Sequence, residues 1–141
     1  MNNDLKNAKA LFDERGYSCV LYRGGIVYTS RKTGISPILD FLSSGVELQG
    51  FCVADKIVGK AAALLFAFAR IEAVYGRVMS KKAVEIFEDA EIHYYYDILT
   101  DEIINREGTG FCPMEEAVAA IEKPSEAFLI LTEKIKQMRG D

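Results

Sequence analysis

The chain has 141 residues, 50% of them apolar, and a formal net charge of −4, so it suffices for one sizeable core over residues 1–141 and is too short for two ordinary domains. The acidic balance offers no long-range attraction to a phosphate backbone, which argues against nucleic acid as a partner, and no run approaches the roughly 18 uninterrupted apolar residues of a membrane span. Three cysteines, Cys19, Cys52 and Cys112, without a C-x-x-C spacing argue for reduced thiols and a cytoplasmic location.

Residues 4–15 carry Leu5, Ala8, Leu11 and Phe12 at helical spacing, which stops at Gly16. In "YSCVLYRGGIVYTS" two β-prone segments flank Arg23-Gly24-Gly25, a hairpin signal. Ser36 as a cap, Pro37 in the first turn and Gly45 past the end predict a short helix over about 37–44. A brief extended piece, about Leu48 to Val53, leads into "DKIVGKAAALLFAFAR". From Asp55 to about Arg70 this run is long, Ala- and Leu-rich and apolar on nearly every face, which predicts a buried central helix. "AVYGRVM" reads as a strand, "SKKAVEIFEDAE" as a helix capped by Ser80, and "IHYYYDIL" as an aromatic strand. Met114, Ala117, Val118 and Ile121 then keep helical spacing, and Pro124 opens a last amphipathic helix carrying Phe128, Leu131, Ile135 and Met138. Helices alternating with strands predict a three-layer α/β fold, with a mixed sheet of about five strands between helices.

This order of elements, together with "DKIVGKAAA" and, far downstream, "GTGFCPMEEAV", resembles a small uncharacterised prokaryotic family assigned to the cytidine deaminase-like fold. The resemblance implies a mixed sheet with a site where the heads of two neighbouring helices meet; it brings no established activity. The zinc chemistry of true deaminases needs a His or Cys two residues before a Glu at one helix head and P-C-x-x-C at the next, so that the metal activates water and the Glu carries its proton. Here Cys52 is followed two positions on by Ala54, Asp55 by Ile57, and "VMSKKAV" has no cysteine. Neither a metal nor another cofactor is expected. Gly59-Lys60 fails as a phosphate-binding loop, because Ala54 and Ala61 stand where that motif needs glycine and a hydroxyl. The lone histidine, His93, fits a place at the sheet surface or edge.

Three charges at the mouth of the apolar run remain to be explained. On a helix from Asp55, Lys56 and Lys60 share one face and Asp55 sits at the cap. The lysine stems either cover apolar surface while the ammonium groups reach water, or the two cations, placed against the helix dipole, hold a bound anion. Cys112, with Pro113 behind it and Glu115 at the capping-box position, is either a small buried hydrophobe or a thiol activated by free N–H groups. The residues thus predict a small anionic metabolite or nucleotide bound by Asp55, Lys56 and Lys60, with Cys112 and Glu115 as catalytic candidates for metal-independent thiol or acid–base chemistry. The alternative is a non-enzymatic interaction or regulatory module, a homodimer paired through Tyr94–Tyr96 or the last helix.

Overall fold

A computed structural model describes residues 1–104 and 112–140. Five strands form one mixed sheet in the order β2-β1-β3-β4-β5, namely β1 (Cys19–Arg23), β2 (Ile26–Ser30), β3 (Cys52–Val58), β4 (Ala73–Ser80) and β5 (His93–Thr100). The hairpin turns at Gly24 and Gly25, both with positive φ (55° and 91°), as a tight two-residue connection between twisted strands requires. Strand β1 runs antiparallel to β2 and β3, whereas β3, β4 and β5 are parallel to one another.

Helix α1 (Asn3–Arg15) covers one face of the sheet. Asn2 caps it, its side chain accepting from the Leu5 N–H at 2.7 Å, and Leu5, Ala8 and Phe12 bury against Val20, Cys52, Ala54 and Tyr75. The opposite face carries α2 (Ser36–Ser43), α3 (Lys60–Phe68), α4 (Lys81–Asp89), α5 (Pro113–Ala117) and α6 (Pro124–Arg139). At the centre of this layer α3 packs between α4 and α6, every residue from Lys60 to Phe66 buried.

Three boundaries differ from expectation, one of them the helix carrying Met114, which ends at Ala117 rather than running on to Ile121. Ser36 is the first residue of α2 rather than its cap, and Ile35 stands at the cap position without a side-chain hydrogen bond. The larger correction concerns the run from Asp55: residues 52–58 are a strand, and the buried helix begins at Lys60 with Gly59 as its N-cap. Strand β3 lies between β1 and β4 and is covered on both faces, so Cys52, Val53, Ala54 and Asp55 are all buried and show none of the alternation that marks a half-exposed strand. Asp55 is therefore no helix cap, and Lys56 shares no helix face with Lys60. By contrast, Ser80 caps α4 as expected, accepting from the Ala83 N–H at 3.2 Å. His93 opens the edge strand β5 and is exposed. Among the described residues no helix is long and apolar enough to cross a membrane.

Candidate functional site

The parallel strands β3 and β4 end side by side and feed directly into two helix heads: Val58 leads through Gly59 into α3, and Met79 through Ser80 into α4. In open α/β sheets ligands gather outside the carboxyl ends of the strands. A cleft of about 360 Å³ opens at that place, with Lys60, Ser80, Lys82, Glu102, Glu115 and Glu116 among its walls.

The head of α3 has no cap from its own segment and no acid in its first turn. Its N–H groups are met instead from 55 residues downstream: Lys60 N–H donates to Glu115 Oε1 at 2.8 Å, and Ala61 N–H donates to Oε2 at 2.7 Å. One carboxylate thus satisfies two of the four donors a helix start leaves open, through charge-assisted bonds at the positive end of the dipole. This close approach explains Gly59. A Cβ there would lie 2.7 Å from Glu115 Cδ and 2.7 Å from Ile103 Cγ1, and would overlap a carboxylate oxygen. Gly59→Ala is accordingly expected to push Glu115 off the helix head and to destabilise the fold by about 1–3 kcal/mol in urea unfolding. An unchanged midpoint would mean that the carboxylate is not held there.

Lys60 is only 8% exposed, yet its ammonium is thinly partnered. Nζ donates to the Ala119 carbonyl at 3.0 Å, and the nearest carboxylate among the described residues, Glu122, is 4.0 Å away and itself exposed. A buried ammonium normally demands closer pairing than this. On the opposite wall, α4 begins with Lys81 and Lys82 and has no acid in its first turn. Lys81 pairs with Asp101 at 2.7 Å, and that bond holds the Asp101 carboxyl below its ordinary range. Lys82 faces the cleft.

Of the five residues singled out from the sequence, Lys60 and Glu115 come together in this cleft, and Asp55, Lys56 and Cys112 lie outside its walls. Asp55 is buried on β3, where its Oδ1 accepts from the Lys56 N–H at 2.8 Å. Burial pushes its carboxyl up to about 7, while the N–H groups of Lys56 and Ile57 and the Lys56 charge pull the other way. Its register partner on β1 is Cys19, whose thiol burial pushes well up, with the Asp55 charge adding to it. Lys56 is exposed on the strand. Cys112 stands at the N-cap of α5 but makes no side-chain cap bond, and it is half-buried against the core. Glu115 forms no capping box with it, because its oxygens reach across to α3 instead. The stretch 108–111, the part of the downstream motif before Cys112, lies outside the described residues. Sequence reasoning missed Lys82, although the signal was present: lysines in a first turn without an acid, the same feature that drew attention to Lys60. Among the described residues no group of three or more His, Cys, Asp or Glu side chains is placed to hold a metal ion.

A family model described as TM1506, domain of unknown function (DUF1893), matches residues 7–135. The fold is similar to the crystal structure of a DUF1893 family protein (TM1506) from Thermotoga maritima, with a TM-score of 0.87 at 27% identity, over 95% of this chain and 91% of that one. No protein with a curated description matches the sequence. Matched along almost its whole length, the chain belongs to the DUF1893 family, a family of unknown function.

Proposed function

We propose that the cleft between α3 and α4 binds a small anionic metabolite or nucleotide, its anionic group received by Lys60 from one wall and Lys82 from the other. The observation that carries this reading is the buried Lys60 ammonium, with a single carbonyl at 3.0 Å and no carboxylate nearer than 4.0 Å among the described residues. The volume, about 360 Å³, falls toward the lower end of the roughly 300–1,000 Å³ usual for ligand sites and suits a small molecule. Compared with the expectation from sequence, Lys82 takes the place of Lys56 beside Lys60, and the N–H groups of α3 already hold Glu115. Glu102 and Glu116, also on the walls, would accept from donor groups at the ligand's other end. Thiol chemistry is carried no further, since Cys112 lies off the cleft. A cytidine deaminase-like, prokaryotic lineage is part of the same proposal; the mixed sheet and the convergence of two helix heads support it. Unpaired Cys19, Cys52 and Cys112 support a cytoplasmic setting.

The test is Lys60→Met in a thermal-shift panel of inorganic phosphate and nucleoside monophosphates. Methionine replaces a buried charge by an apolar chain of similar length, so the variant should stay within about 1 kcal/mol of the parent. It should also lose the stabilisation that a ligand at about 100 times its Kd gives the parent, about 2.7 kcal/mol. A panel without effect on the parent, or an undiminished response in Lys60→Met, would overturn the reading. The second reading, a homodimeric interaction module, is favoured by β5, an edge strand exposing Tyr96, Ile98 and Leu99. Concentration-dependent dimerisation without any ligand response would select it.

A further inference from the structure

Resting on that binding reading, the geometry points to Glu115 as the residue that sets how many anionic groups the cleft accepts: it acts as a built-in second anion and restricts the ligand to one. The carboxylate already occupies the place at the head of α3 where a second phosphate would lie, taking the Lys60 and Ala61 N–H groups at 2.8 and 2.7 Å. It is not a loosely swinging side chain. Met114 and Val118, on either side of it in sequence, are 7% and 0% exposed and fix α5 to the core, and Gly59 leaves the space its oxygens fill. Lys60 links the two positions. Its backbone N–H serves Glu115 while its ammonium, held beside the Ala119 carbonyl at 3.0 Å, remains for the ligand.

Lys81 is engaged with Asp101 at 2.7 Å, which leaves Lys60 and Lys82 as the cations on walls that also carry Asp101, Glu102, Glu115 and Glu116. A single anionic group is received by Lys60 and Lys82 together. A second, pushed toward α3, would meet the Glu115 carboxylate at contact distance with like charge.

The experiment is calorimetric titration of the full chain with inorganic phosphate and with pyrophosphate, for the parent, Glu115→Ala and Glu115→Gln. The parent should bind phosphate at least as well as pyrophosphate. Opening the α3 head in Glu115→Ala should shift the preference toward pyrophosphate by about tenfold or more, the size of one new charge-assisted hydrogen bond. Glu115→Gln keeps the volume and removes the charge, so it should shift the preference in the same direction by less; it also carries the test if the alanine variant does not fold. Phosphate binding by the parent with the same phosphate-to-pyrophosphate ratio in the folded variants would overturn the role of Glu115 alone. A parent that binds neither probe nor any nucleoside monophosphate would overturn the binding reading beneath it, and this inference with it.

Discussion

Glu115→Ala is expected to lower the unfolding free energy by about 2–4 kcal/mol, because two buried N–H groups lose a charged acceptor and are left without a partner. The loss should exceed that of an ordinary helix-cap deletion, about 1 kcal/mol. Glu115 joins elements far apart in sequence: its removal unties α5 from α3, and with it the turn whose Ala119 carbonyl holds the Lys60 ammonium. Added formate should stabilise the variant more than the parent, by placing a free carboxylate on the vacated N–H groups. Urea unfolding with and without formate checks both statements. A loss below about 0.5 kcal/mol, within the range of ordinary surface substitutions, would mean that the N–H groups of α3 find another partner and that Glu115 is dispensable to the fold.

Asp55→Asn should have the opposite sign, and its size should depend on pH. In the folded chain the Asp55 carboxyl is raised to about 7 from an ordinary value of 3.8, burial being the largest cause. Below the ordinary value the group is protonated in both states and contributes nothing. As pH rises from there toward 7 the unfolded chain loses the proton while the folded chain keeps it, so stability falls. Above the folded value the whole penalty is present, roughly 4 kcal/mol at 1.36 kcal/mol per unit. Asparagine cannot ionise and retains an oxygen to accept from the Lys56 N–H. The variant should therefore match the parent near pH 4 and exceed it by up to roughly 4 kcal/mol near pH 8. The neighbours that bear on this titration are Cys19 on β1 and Lys56 on β3 itself. Stability curves of the two proteins that run parallel across this range would show that Asp55 ionises normally and has a hydrated path to solvent.

Much of the architecture was legible because local signals and tertiary outcome agreed. Gly24-Gly25 between β-prone segments yielded the hairpin, and Ser80 before Lys81 yielded the capped helix α4. The start of α3 was misread because a strand covered on both faces and a buried helix both present unbroken apolar runs, and the period that separates them is lost. Gly59 was the punctuation that settles it. Its importance lies in a contact with Glu115 and Ile103 that no local pattern contains. The same holds for Glu115: three residues after Cys112 it fits a capping box, and only the packing of α5 beside α3 directs its oxygens across the fold. Lys60 was identified from its place at an apolar helix head, and that feature persisted when the helix moved. Lys56 was grouped with it only through a helical face, and Asp55 only as the cap of a helix start, and neither exists in the strand found there.

The central claim is that an anion enters the cleft between α3 and α4 and is received by Lys60. Backbone amide NMR spectra of the chain titrated with inorganic phosphate test it most directly. Shifts confined to residues 59–62, 80–83 and 115–119, and absent from Lys60→Met, are the predicted result. Saturating phosphate that moves none of these amides, or shifts centred on the β5 edge or the outer side of α6, would contradict it.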